Sequence, residues 1–216
     1  MTDSASSPRY AADSDTTNVS APPSTAHLSA RPPSLMRNIR QDIRTKAHWL
    51  YESNRPAAIL KTLLTDGTAA MILYRLMQWA RRWRLLPLEM VFNKANSIFC
   101  NCIIGRGADF GPGFVLIHST GIVINGQVRG GCNVHLEHQV TIGAERRSSP
   151  TIGDGVFIGA GAKVLGAITI GEGARVGANA VVVHDVPAHS TVVGIPARVV
   201  RQRENTQAET PPPSTE

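Results

Sequence analysis

Thr151-Ile-Gly-Asp-Gly-Val-Phe-Ile-Gly-Ala-Gly-Ala-Lys-Val-Leu-Gly-Ala-Ile-Thr-Ile-Gly-Glu-Gly-Ala-Arg-Val-Gly177 is the stretch that decides the fold of this 216-residue chain. Ile152, Ile158, Val164, Ile170 and Val176 recur at every sixth position, and glycine follows at Gly153, Gly159, Gly171 and Gly177. The column extends back through Ile104, Phe110, Leu116, Ile122, Val128, Val134 and Val140, and forward to Val182. A helix repeats at about 3.6 residues and a strand at 2, so a period of six fits neither alone. It fits a solenoid of short strands and tight turns, in which each hexad forms one flat face and three hexads close a triangular coil. The expected fold is mainly β, a left-handed parallel β-helix of about five coils of eighteen residues, so residues eighteen apart stack. Arg146 is the one interruption, inside Gly143-Ala-Glu-Arg-Arg-Ser-Ser-Pro150; a polar stretch there reads as a loop leaving the coil.

Hydrophobic residues make up 42% of the chain, enough for one sizeable core, while aromatics are only 5%, as a narrow prism filled with Ile, Val and Ala requires. Cys100, Cys102 and Cys132, without the basic and apolar regions of a secretory signal, suggest free thiols in a reducing cytoplasm. Cys100-Asn-Cys102 is too short a pattern for a zinc site and reads as small buried residues at the base of the solenoid.

The formal net charge of +6 is unevenly spread. Residues 36–96 hold eleven Lys/Arg against four Asp/Glu, a surplus of seven, and residues 97–200 hold seven against six. No nucleic-acid motif accompanies that surplus, so no nucleic-acid partner is expected. A basic helical face suits an anionic ligand or the inner face of a membrane, and Trp79, Arg81, Arg82, Trp83 and Arg84 could lie on such a surface; the plainer reading packs that helix on the solenoid or a partner subunit. No stretch reaches the roughly 18 uncharged apolar residues of a membrane span.

Residues 1–34 and 201–216 are polar, Pro-containing segments without apolar period and read as disordered tails. An α-helical domain is expected over 35–96 and the β-helix over 97–200. Within the former, Met36 to Glu52, Ala57 to Leu64 and Thr68 to Arg84 carry helical patterns, with Pro56 at a helix start and Asp66-Gly67 as a turn.

Leu116-Ile-His-Ser-Thr-Gly-Ile-Val123 resembles the catalytic segment of serine O-acetyltransferases. So do Val140-Thr-Ile-Gly143, Ile158-Gly-Ala-Gly-Ala-Lys-Val-Leu-Gly166, His184-Asp-Val-Pro187 and the close from Ser190 to Val200. Ile39-Arg-Gln-Asp-Ile43, Arg55-Pro-Ala57 and Tyr74-Arg-Leu-Met-Gln-Trp79 echo the helical domain of that family in shortened form. The resemblance covers roughly 36–200 and implies an acetyl-CoA-dependent O-acetyltransferase.

His118 is then the general base, because an alcohol is a poor nucleophile near neutral pH and an imidazole matches the task. With an eighteen-residue coil, His135 stacks almost directly above it. Glu137 and His138 either line the acceptor pocket or orient His118. His135-Leu-Glu-His138 does not reproduce the zinc sites of other hexapeptide β-helices, so no metal is expected. The resemblance implies a donor groove along Gly143, Ala144, Ala160, Gly161, Ala162 and Ala178, with Lys163 and Arg198 facing the CoA phosphates and backbone N–H groups holding the oxyanion.

The departures concern the acceptor. The family has an Asp immediately before its catalytic histidine, another fifteen residues before it that orients the ring, and a third before Pro-Ala; here these positions are Ile117, Ile103 and Arg55. A second histidine before the loop proline becomes Ser149. An amino-acid acceptor brings an ammonium that needs carboxylates. Their absence favours a neutral sugar of exopolysaccharide or capsule assembly, held by Asn125, Glu137, His138 and Gln139, with L-serine as the alternative. A catalytically silent β-helix acting in assembly is the reading of another class. A groove that needs two walls and the family pattern imply a homotrimer; a dimer of trimers is less certain to survive the shortened helical domain.

Overall fold

The computed structural model describes residues 34–144 and 148–202. The expected tails therefore fall outside the described residues except at Ser34, Arg201 and Gln202, and so does Arg146 in the loop.

Four helices come first: α1 (Leu35–Tyr51), α2 (Pro56–Leu63), α3 (Thr68–Arg82) and α4 (Leu86–Cys100). Ser34 caps α1, its Oγ accepting from the Arg37 N–H at 3.3 Å, and Pro56 opens α2 where a missing N–H costs nothing. α4 runs four residues beyond the expected domain boundary and ends at Asn101 in the left-handed conformation.

Fifteen short strands follow: β1 (Cys102–Ile104), β2 (Asp109–Phe110), β3 (Val115–Leu116), β4 (Ile122–Ile124), β5 (Arg129–Gly130), β6 (His135–Leu136), β7 (Thr141–Gly143), β8 (Thr151–Ile152), β9 (Phe157–Ile158), β10 (Lys163–Leu165), β11 (Thr169–Ile170), β12 (Arg175–Val176), β13 (Val181–Val182), β14 (Ser190–Gly194) and β15 (Ala197–Gln202). They form three parallel faces: β1-β4-β7-β10-β13, β2-β5-β8-β11, and β3-β6-β9-β12-β14. This is the left-handed parallel β-helix, with four complete turns and a fifth closed by β13, the Ile170–Val186 bridge and β14. β15 turns back antiparallel on β14 and carries the regular structure through Gln202, two residues past the expected end.

Every apolar member of the six-residue column is buried. At about 1.5–3 kcal/mol for each fully buried Val, Leu, Ile or Phe, the column is the main stabilising term of the solenoid. The expected uniform stacking at eighteen is corrected. From β8 to β13 the faces repeat at eighteen, as Thr151 pairs with Thr169 and Phe157 with Arg175, and the last step falls to sixteen, where Arg175 pairs with Thr191. Lower down, Val115 pairs with His135, twenty residues on, and His135 with Phe157, twenty-two on. Two extra residues sit in the corner after β3: seven steps separate Leu116 from Val123, whereas five separate the stacked Leu136 from Thr141. The four extra residues of the next turn lie between β7 and β8, where the polar loop was expected. The single column is thus two interleaved ones: Ile122 stacks on Cys102, and Ile104 beneath Ile124.

The helical domain is locked to the lowest turn by a polar core. Arg75 of α3 is buried and meets the buried Asp42 of α1 through Nε–Oδ2 at 2.6 Å and Nη2–Oδ1 at 3.0 Å. The same guanidinium donates to the Phe110 and Gly111 carbonyls, while Asp42 accepts from the Gly113 and Phe114 N–H groups. Tyr74 lies edge-on to Phe114, and Phe114 stacks on Phe110 with centroids 4.3 Å apart. The Tyr74-Arg-Leu-Met-Gln-Trp79 segment therefore builds the joint between helices and coil. α3 packs there through Tyr74, Arg75 and Met77, while Arg81, Arg82 and Trp83 at its end stay exposed, and among the described residues no single helix is long and apolar enough to cross a membrane.

Candidate active site

One corner edge of the prism collects the chemistry. It lies between the β3 face and the β1 face. Backbone hydrogen bonds from Gln139 N–H to the Thr120 carbonyl, Gly161 N–H to the His138 carbonyl and Asn179 N–H to the Ala160 carbonyl stack successive corners. From bottom to top the edge carries His118, His138, Ala160 and Ala178. The longer corner after β3 displaces the stacking, so His138 stands over His118, with ring centroids 5.9 Å apart and planes at 76°. His135, expected in that place, is corrected to another position. It lies on the outer β6 face under Trp49 of α1, centroids 4.7 Å apart, with Nδ1 2.9 Å from the Asn133 carbonyl oxygen. Burial, with the Arg175 cation beside it, pulls the His135 pKa below its ordinary value despite that hydrogen bond.

His118 follows the buried Ile117, and its side chain is half exposed. Its Nδ1 lies 3.3 Å from Oδ2 of Asp66, in the turn between α2 and α3. Asp66 is held from several sides. Oδ1 accepts from the Gly67 N–H at 2.8 Å and from Ser119 Oγ at 3.1 Å, and Oδ2 accepts from the Ser119 N–H at 3.3 Å. Lys46, fully buried in α1, donates to the Asp66 carbonyl. Partial burial pushes the Asp66 carboxyl up, but hydrogen bonds from Gly67, Ser119 and His118 outweigh it and leave its pKa below the usual carboxylate value. Burial pulls the Lys46 ammonium down to about 8, against the attraction of Asp66. Gly67 has φ of 78°, and a Cβ there would run into the Leu116 carbonyl, so the turn presses directly on the active coil.

Glu137 and His138 join this edge, with Oε2 3.6 Å from His138 Nδ1 and both side chains reachable by solvent. Asn125 does not; it lies beyond the far end of β4, where its Oδ1 accepts from the Gln127 N–H and from Ser149 Oγ. Gln139 holds the corner through its backbone, in the left-handed conformation. The donor-groove candidates divide likewise. Ala160, Gly161 and Ala178 lie on the histidine edge, and Lys163 beside it donates to the Gln139 carbonyl at 2.7 Å. Gly143, in register with Leu165, and Ala144 lie at the other edge of the same face. The Ala162 methyl is buried in the core, and Arg198 sits on β15 at the top of the third face. Among the described residues no three His, Cys, Asp or Glu side chains converge as a metal site would require, and all three cysteines are free thiols.

Reading along the sequence missed Asp66, Ser119 and Lys46. The available signal was that Asp66 is the one acidic residue between Glu52 and Glu89. A cleft of about 910 Å³ lies elsewhere, between α1, α3 and the first turns, and none of the candidate residues lines it. The histidine edge is an open groove wall.

A β-helix of hexapeptide turns with paired histidines on an open edge is the architecture of a hexapeptide-repeat transferase, and residues 149–184 match the bacterial transferase hexapeptide (six repeats) family. The chain belongs more narrowly to the serine acetyltransferase family: it is 37% identical over 173 residues to serine acetyltransferase of Bacillus subtilis, covering 77% of each chain. It is 47% identical over 131 residues to chloroplastic serine acetyltransferase 1 of Arabidopsis thaliana, covering 59% of this chain and 41% of that one, so it spans about two fifths of the longer relative. A solved serine acetyltransferase from Brucella abortus in complex with coenzyme A superposes with a TM-score of 0.67 at 31% identity, over 74% of this chain and 67% of that one.

Proposed function

We propose that this protein is an acetyl-CoA-dependent serine O-acetyltransferase in which His118 is the general base. The observation that carries the reading is the edge itself: His118 beside Asp66, His138 above it, and small residues at Ala160 and Ala178 continuing the groove. The family supports the donor, since a relative of the same fold is solved with coenzyme A.

The preference for a sugar rested on carboxylates missing at positions 55, 103 and 117. The structure brings two others to the edge, Asp66 at 3.3 Å from His118 and Glu137 at 3.6 Å from His138. An ammonium thus finds negative charge beside the base, which a neutral sugar does not need. Glu137 is the carboxylate we assign to the serine ammonium.

In the reaction His118 takes the proton of the serine hydroxyl as its oxygen attacks the thioester carbonyl. The carbon–sulfur bond breaks, and the protonated imidazole returns its proton to the CoA thiolate. Backbone N–H groups along the corner stabilise the oxyanion, and Lys163 faces the CoA phosphates. The groove has one wall in this chain, and exposed Ile103, Val123 and Leu165 line the adjoining face. A second copy supplies the other wall in our reading, as a homotrimer, which sedimentation tests directly.

The test is thiol release from acetyl-CoA with L-serine against a panel of sugars and lipid-linked saccharides. Turnover with serine is expected. Silence with serine and turnover with a saccharide would overturn the acceptor assignment, and absence of both CoA binding and turnover would leave an assembly protein.

A further inference from the structure

The base of this site stands on a β-helix corner, but the carboxylate nearest to it belongs to the helical domain. We propose that Asp66 is the positioning residue for His118, so that the docked α2–α3 turn is part of the catalytic apparatus. The inference rests on His118 being the base.

Three observations converge. First, the carboxylate has a defined direction. Gly67 N–H and Ser119 Oγ hold Oδ1, which leaves Oδ2 facing His118 Nδ1 at 3.3 Å. With Nδ1–H donating to that oxygen, the free lone pair of the ring is on Nε2, which becomes the atom that accepts the substrate proton. The negative charge also stabilises the imidazolium formed during transfer. Second, the turn is anchored from inside the helical domain. Lys46 has no exposed surface, yet its ammonium is spent on the Asp66 carbonyl, and a buried charge is costly unless it holds something. Third, Ser119, one residue after the base and only 2% exposed, gives both its N–H and its hydroxyl to Asp66. The two extra residues of this corner bring Ser119 within reach of a turn more than fifty positions earlier in the chain. Ile103, where a carboxylate on the solenoid itself was sought, lies half exposed on the β1 face, and Ile117 is buried.

The experiment compares wild type, Asp66→Asn, Ser119→Ala and His118→Ala in steady state with acetyl-CoA and the acceptor the protein turns over. CoA affinity and circular dichroism report on folding. Asp66→Asn is expected to lower kcat by about a hundredfold or more with CoA affinity unchanged. Without the carboxylate to accept from Nδ1–H, the ring loses its preference for the tautomer that leaves Nε2 free. The ¹⁵N shifts of His118 move with it. Ser119→Ala, which keeps the carboxylate but frees it, gives a smaller loss of kcat with the His118 shifts moved in the same direction. If Asp66→Asn fails to fold, Ser119→Ala and the His118 ¹⁵N shifts decide. Wild-type kcat, or a lower kcat with unmoved His118 shifts, overturns the positioning role. A His118→Ala variant that retains turnover overturns the reading beneath it instead, so the two failures are distinguishable.

Discussion

The upper turns of the solenoid and its lowest turn are built from the same hexads and do different things. Between β8 and β13 the faces repeat at eighteen, the corners are rich in Gly and Ala, and the structure is a regular wall. In the lowest turn the corner is two residues longer, a histidine projects from it, and helices α1 and α3 brace it through buried charges. The repeat supplies rigidity, and the candidate site lies where the repeat is broken and groups outside the coil hold the break.

That contrast can be broken at several points. The largest effect is expected from His118→Ala, which should cut turnover by about 10²–10⁴-fold with CoA affinity retained. Loss of CoA binding in the same variant, by calorimetry, would show that the two halves of the edge are not separable. Next, Arg75→Ala removes one partner of the buried pair with Asp42 and leaves the other uncompensated, a cost of about 3–5 kcal/mol in urea unfolding. Probes in the first turn should respond before probes in the upper turns. Ile170→Ala, in the regular region, should cost about 2–5 kcal/mol through the cavity left behind, with kcat/KM untouched at temperatures where the protein stays folded.

A subtler effect comes from Lys46. Its folded-state pKa of about 8 lies below the value of about 10.5 for the unfolded chain, so the native state releases its proton first as pH rises. Stability therefore gains from this group between about pH 8 and 10.5 and is lower beneath that window. Lys46→Met should flatten that rise in a series of denaturant titrations; a slope unchanged by the substitution would assign the charge burial elsewhere. The smallest effect is expected from Ala178→Trp, which fills the upper edge and weakens CoA by about tenfold, roughly 1.4 kcal/mol, while the serine KM holds.

Much of this molecule was legible from the chain. Ile152, Ile158, Val164, Ile170 and Val176 announce the period, the period announces the coil, and a polar break at 143–150 announces extra residues there. His118 stood out through the resemblance of Leu116 to Val123 to the catalytic segment of serine O-acetyltransferases. The stacking order was harder to read. His135 and His138 differ by three positions, and which of them covers His118 depends on corner lengths that hydrophobic spacing does not report, since Ile122 and Ile124 are both apolar and both buried. The acceptor argument had the same blind spot: it counted carboxylates at aligned positions, and Asp66 reaches the histidine edge from none of them.

The sequence by itself determined the β-helix, its core and the helical segment before it. These follow from local periodicity and residue type, which act over one coil or one helix. Only the tertiary structure decided that His138 rather than His135 is the second histidine, that Asp66 faces His118, and that Arg75 and Asp42 join helices to coil. Those contacts link residues twenty to seventy positions apart, and their geometry is set by how the whole chain packs, because neither strand register nor helix docking is encoded in any one stretch.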